Sequence, residues 1–132
     1  MNDYVPRLTE WFELKRKLSS SRNAISFKER EIWWCSVGMN LGEEIYGKGK
    51  LFNRPVLIFK KFTSNSFMAL PLTSKEKKGS WYVKILHASG ESCVILNQAR
   101  ILDKKRLTNR IDVVDGSEFR RIRESFLKLY GS

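Results

Sequence analysis

The stretch from Asn53 to Lys75 reads NRPVLIFKKFTSNSFMALPLTSK. Two apolar runs, PVLIFKKF and SFMALPLT, flank a polar triplet, Thr63 to Asn65. That arrangement predicts a β-hairpin turning at TSN. Within a sheet, proline is confined to a first position or an edge, which places Pro55 at the entrance of the first strand. Proline also holds the residue before it extended, here Arg54. Pairing through the turn brings the outer ends together, so Arg54 is expected at the same end of the sheet as Thr73 and Ser74. A guanidinium fork beside two hydroxyls suits a phosphate: the fork takes two oxygens and the hydroxyls add hydrogen bonds. Arginine and threonine are also common at strand ends for no functional reason, and on geometry alone both readings stand. Both side chains are expected away from the core.

Further strands follow on either side of the hairpin. IWWCSVG, Ile32 to Gly38, is aromatic and apolar, and period-two alternation puts Trp33 and Trp34 on opposite faces. A glycine-rich loop, MNLGEEIYGKGKLFN, leads into the hairpin. After it come the basic loop SKEKKGS, a strand WYVKIL from Trp81, the turn HASGES, and a fifth strand, CVILNQARILD, from Cys93 towards Asp103. RIDVV from Arg110 adds a short sixth. Short strands at close spacing predict a small barrel or sandwich. At the end, Phe119, Ile122, Phe126 and Leu129 form one helical stripe that Asp115 or Ser117 can cap. At the start, Leu8, Trp11, Phe12 and Leu18 show helical spacing within LTEWFELKRKL. That helix is expected to pack on the strands as extra core or as a lid. The fold class is therefore β-rich α+β, with a helix at each end. Residues 1–29 read as an N-terminal helical extension and residues 30–132 as the strand-rich domain.

Composition narrows the partner. The chain has 132 residues, 42% apolar, enough for a core in a single domain. No apolar run approaches the roughly 20 residues that span a bilayer. Charges interrupt every apolar cluster of the N-terminus, so no signal peptide is read there and the cytoplasm is the expected location. Twenty-five Lys and Arg against 14 Asp and Glu leave a net charge of +11. Such a balance favours a polyanion: nucleic acid, an anionic membrane or an acidic protein. Lys48, Lys50, Lys60, Lys61, Lys75, Lys77 and Lys78 are expected in loops beside the hairpin, where they would track a phosphate backbone. Trp33, Trp34, Trp81 and Phe52 include candidates for base stacking. Cys35 and Cys93 fall in apolar runs and read as small core residues. His87 is the only histidine and reads as a solvated turn residue. With so few soft ligands, a zinc site is not expected.

Read in order, IWWCSVG, GEEIYG, NRPVLIF, ALPLTSK and ILNQARILDKKRL resemble the MazF/PemK toxins, ribonucleases of bacterial toxin–antitoxin pairs. The resemblance spans about residues 30 to 130. It implies an SH3-like small β-barrel with a C-terminal helix, a homodimer, and an acidic antitoxin as partner. It also implies metal-independent cleavage of single-stranded RNA, in which the ribose 2′-OH attacks the adjacent phosphate. Carried over by motif, the catalytic arginine falls on Arg54, the catalytic threonine on Thr73 and the loop glutamate on Glu44, with Glu43 as rival. Ser74, Lys48, Lys50, Lys75, Lys77, Lys78, Gln98 and Arg100 are the expected RNA-binding residues, Gln98 and Arg100 matching the family's Gln–x–Arg. Two other readings share the barrel: a binding module that has lost cleavage, and a CcdB-like toxin directed at gyrase. The chain departs from the family pattern in the residues before its first strand and in the longer segment GKGKLFN.

Overall fold

The computed structural model describes residues 25–37 and 53–131. The expected N-terminal helix, with Leu8, Trp11, Phe12 and Leu18, lies outside the described residues, as do Glu43, Glu44, Lys48, Lys50 and Phe52.

The hairpin of Asn53 to Lys75 forms as the sequence predicts. Strand β2 (Asn53–Lys61) pairs antiparallel with β3 (Ser66–Thr73) in the register Val56↔Pro71, Leu57↔Leu70, Ile58↔Ala69. Its turn is held by side chains: Asn65 N–H donates to Thr63 Oγ1, which also shares a hydrogen with Ser66 Oγ. On its other edge β2 pairs with β1 (Glu31–Ser36), and β1 pairs with β7 (Leu107–Val113). The far edge of β3 is divided. Its first half pairs with β6 (Arg100–Asp103), and Leu72 and Thr73 pair with β5 (Gly90–Ile95). β5 then pairs with β4 (Tyr82–His87). The described strands make one seven-stranded sheet, in the order β4-β5-β3-β2-β1-β7 with β6 beside β3.

The expected fifth strand is therefore two. CVILNQARILD is interrupted by a 3₁₀ turn at Leu96–Gln98. Leu70 and Pro71 have no ladder partner on that edge of β3, and Pro71 has no N–H to give. The chain leaves β3 beside this gap and rejoins it as a new strand. The expected short sixth strand, from Arg110, is longer and begins at Leu107.

Burial explains the unbroken apolar run Val56–Leu57–Ile58. β2 is covered on both faces, so successive side chains enter two different cores. Leu57 joins Ile32, Leu70, Leu72, Ile85 and Val94 beneath helix α1 (Gly116–Tyr130), which inserts Phe119 and Ile122. Val56 and Ile58 join Trp33, Cys35, Phe67 and Ala69 on the opposite face, where Phe27 packs on Phe67 at 5.2 Å between ring centres. Phe27, counted with the extension from sequence, is fully buried in this second core. Trp33 and Trp34 do separate, to 7% and 38% exposure. Asp115 caps α1 by accepting from Ser117 N–H.

No backbone ladder joins the edge strands β4 and β7, so the barrel is open. Side chains cross the gap. His87 Nδ1 lies 2.8 Å from Asp112 Oδ2, and Ser89 N–H donates to the same oxygen. His87 is thus not a solvated turn residue: its side chain is 7% exposed and Asp112 is 8% exposed. Sequence position in HASG placed it in a turn, but the curl of the sheet brings Asp112 over it. Helix α1 reinforces this corner, Glu118 accepting from Leu86 N–H and Arg121 donating to Lys84 O.

The clasp has a measurable signature. Desolvation pushes the Asp112 carboxyl up, but hydrogen bonds from His87, Ser89 and Val113 more than offset it and hold it below the ordinary 3.8. Stability drawn from that carboxylate is complete above 3.8 and is lost as pH falls through the lower folded-state value. Asp112→Ala is expected to destabilise the fold by about 1–3 kcal/mol at neutral pH, the cost of leaving nearly buried partners unpaired. Urea melts of parent and variant should converge below pH 3.8; a gap that persists into acid would assign the loss to something other than the carboxylate.

Candidate active site

Arg54 reaches its site through strand register. Continuing Val56↔Pro71 outward by two residues sets Arg54 across from Thr73, as the hairpin argument expects. On the other side Arg54 pairs with Cys35 of β1. Its Nε–H donates to Leu72 O at 3.2 Å, which fixes the plane of the guanidinium. Partial burial lowers its pKa, and an arginine so placed still carries its charge at neutral pH.

Thr73 departs from expectation. It is not an exposed strand end but 7% exposed, because β5 covers it through the Thr73↔Cys93 pair. Its Oγ1 accepts from Lys75 N–H at 3.2 Å, so the hydroxyl keeps its own hydrogen to donate. Arg54, Thr73 and Ser74 line one surface pocket of about 200 Å³, together with Trp34, Asn53, Pro55, Leu72 and Ser92. A guanidinium held in plane, two hydroxyl-bearing residues at the end of β3 and an exposed indole therefore line one space.

Two pocket residues carry no signal in the sequence. Asn53 Oδ1 is buried and has no hydrogen-bond partner among the described residues. A buried acceptor left unpaired is costly, and a ligand N–H or O–H entering the pocket would satisfy it. Ser92 arrives from β5, far along the chain, and only the sheet brings it here.

Other expected residues sit elsewhere. Arg100 pairs with Ala69, about 13 Å along β3 from Thr73. Its Nη1–H donates to Val37 O, and Arg106 donates similarly to Ser36 O. Both arginines thus hold the end of β1. Gln98 lies half-buried in the 3₁₀ turn, outside the pocket lining. Lys75, Lys77 and Lys78 follow β3 in an exposed loop beside the pocket. Lys60 and Lys61 are at the opposite end of β2, about 20 Å from Arg54. Lys61 is structural, donating to Phe27 O with its ammonium over the Phe27 ring. Trp81 is exposed but does not line the pocket. Among the described residues no group of three or more His, Cys, Asp or Glu could hold a metal ion.

Comparison with known proteins follows the same outline. Residues 28–130 match the family described as PemK-like, MazF-like toxin of type II toxin-antitoxin system. No curated protein matches the sequence at a significant level. Solved structures share the fold. MazF from Deinococcus radiodurans is 18% identical, with a TM-score of 0.65 over 82% of this chain and 99% of its own. An endoribonuclease in complex with its cognate antitoxin, from a Mycobacterial species, is 15% identical, with a TM-score of 0.61 over 80% and 96% of the two chains. The Mycobacterium tuberculosis toxin MazF-mt6 is 15% identical, with a TM-score of 0.59 over 77% and 97%. At such identities these three establish the fold.

Behind Arg54, burial pushes the Cys35 thiol up to about 11, against the opposing charges of Arg106 and Arg100. A thiol in that state is a poor nucleophile. Iodoacetamide at about pH 8 should leave Cys35 unmodified in the folded chain and alkylate it after unfolding. Mass spectrometry reads the difference, and fast native labelling would contradict the burial described.

Proposed function

Because the chain belongs to the PemK-like, MazF-like toxin family of type II toxin–antitoxin systems, we propose that it is an endoribonuclease toxin acting on single-stranded RNA. The observation that carries this reading is the convergence of Arg54 and Thr73 on one pocket, with the guanidinium plane fixed by Leu72 O. The names of similar structures, an endoribonuclease and MazF proteins, support the same activity.

The chemistry follows from the residue types. In-line attack by a ribose 2′-oxygen on the adjacent phosphorus builds negative charge on the non-bridging oxygens. Arg54 stabilises that charge through two parallel N–H donors. Thr73 donates its hydroxyl hydrogen to one oxygen, and Ser74 stands beside it. Donors held in place before the reaction are commonly worth about 2–4 kcal/mol each. The bond from phosphorus to the 5′-oxygen breaks, leaving a cyclic phosphate and a 5′-hydroxyl. Trp34 offers a face for stacking a neighbouring base, an interaction worth about 1–3 kcal/mol where it occurs. The step uses no metal, and EDTA should leave the rate unchanged.

The net charge of +11 suits RNA and also an acidic antitoxin. The complex of a similar Mycobacterial endoribonuclease with its cognate antitoxin supports such a partner here. A homodimer would join two basic surfaces into one groove, and Lys75, Lys77 and Lys78 would border it. The cytoplasm, where messenger RNA and antitoxin are both present, is the proposed location.

Incubation of the purified chain with a long unstructured RNA tests the activity. Arg54→Lys keeps the charge and loses the fork. It should bind RNA nearly as well as the parent and cut it about 100-fold more slowly. Thr73→Ala should slow cleavage by a smaller factor and also lower stability by about 1 kcal/mol, because its hydroxyl accepts from Lys75 N–H. Intact RNA after many hours with the parent would leave a binding module or a gyrase-directed toxin as the function.

A further inference from the structure

The pocket of Arg54 and Thr73 touches a hydrogen-bonded aspartate–histidine–serine series that the family resemblance does not account for. Asp112 Oδ2 lies 2.8 Å from His87 Nδ1, and His87 Nε2 lies 2.9 Å from Ser92 Oγ. Ser92 lines the pocket. The three residues come from β7, β4 and β5, so nothing in their sequence spacing announces them.

The direction of the hydrogens follows from the partners. An ionised carboxylate only accepts, so the His87 ring carries its hydrogen on Nδ1 and gives it to Asp112. With the ring neutral, Nε2 carries a lone pair able to accept from the Ser92 hydroxyl. Strand alternation puts Ser92 on the same face of β5 as Val94, which packs with Leu72, and Leu72 also lines the pocket. His87 and Asp112 are almost fully buried, and Ser92 is the member of the series that borders the pocket. The His87–Asp112 pair is enough to clasp β4 to β7. That clasp does not require a hydroxyl on Nε2, nor that Ser92 line the pocket.

We infer that His87 is the general base of this chain, taking the 2′-hydroxyl proton through Ser92 while Asp112 holds the ring. The inference rests on the nuclease reading above. As the 2′-oxygen forms its bond to phosphorus, its proton moves to Ser92 Oγ and the Ser92 proton moves to His87 Nε2. The phosphorus–5′-oxygen bond breaks with its electron pair on the 5′-oxygen, which takes a proton from solvent water. The His87 imidazolium, facing the Asp112 carboxylate, returns its extra proton to that water through Ser92. No oxidant, metal or other co-reactant enters. Ser92 is the catalytic residue here, since it touches the substrate hydroxyl; His87 acts through it, and Asp112 is a positioning residue. Other charged groups on the surrounding elements are the Lys84–Glu91 pair of the β4–β5 hairpin and Glu118 with Arg121 on α1.

Single-turnover cleavage of an unstructured RNA, measured against pH with the full-length chain, tests the assignment. The parent rate should fall on acidification, because the relay needs neutral His87. Ser92→Ala should cut about 100-fold more slowly, the low end of what a positioned base contributes. Its RNA affinity should match the parent, and its melting temperature should drop only slightly, since the His87–Asp112 clasp is kept while Nε2 loses one partner. His87→Asn keeps a donor towards Asp112 and removes the base; it should flatten the acid limb of the profile. Glu44→Gln, at the base expected from the resemblance, should keep the acid limb whatever it does to the rate. Parent-like cleavage by Ser92→Ala, or an acid limb removed by Glu44→Gln and kept by His87→Asn, overturns the relay while the nuclease reading survives. A parent chain that leaves RNA intact overturns both.

Discussion

Everything at the pocket depends on one constraint in β3: a single strand edge has to serve two partners. Ser66–Ala69 bind β6 and Leu72–Thr73 bind β5, with Leu70 and Pro71 unpaired between them. Pro71 cannot donate, so a continuous ladder on that edge would be interrupted in any case. The division lets β5 and β4 turn away from β6, and this curl lays Thr73 under β5 while leaving its neighbour Ser74 exposed. It also carries Ser92 to the pocket and His87 to Asp112. A flat sheet with the same pairs would separate these groups.

The curl leaves an edge problem, and the chain solves it with side chains. Strands β4 and β7 do not pair, yet exposed edges invite association. His87 with Asp112 spans the gap, and α1 holds the β4 side of it through Glu118 and Arg121. The apolar stripe of α1 plugs the core beneath, where Phe59 stacks between Phe119 and Phe126 at 5.8 and 4.6 Å. The clasp and the proposed proton relay are then one device, since the hydrogen bond that joins the edges also fixes the histidine tautomer.

Part of the positive charge is tied to groups of the fold itself. Arg100 and Arg106 hold the carbonyls of Val37 and Ser36, Arg110 pairs with Glu31, and Lys61 caps Phe27. A count of lysines and arginines therefore overstates the surface offered to a polyanion. Among the described residues, Lys75, Lys77 and Lys78 lie in the exposed loop after β3 and Arg54 lines the pocket.

Local chemistry made the hairpin, the Trp33/Trp34 alternation and the C-terminal helix legible in the sequence, because each rests on periodicity and turn residues a few positions apart. The meeting of Arg54 and Thr73 was legible for the same reason: a short turn at TSN fixes the register of everything between them. The family order of motifs added the fold and the family. What tertiary structure alone decided is the rest of the pocket. The break in CVILNQARILD depends on which half of β3 each piece can reach. The burial of Thr73 depends on β5, and the place of Ser92 on the curl of the sheet. His87 reads as a turn residue until β7 brings Asp112 across from another part of the chain. Pairings between distant segments are set by the sheet's curl and by two shared cores, and no spacing along the chain encodes them.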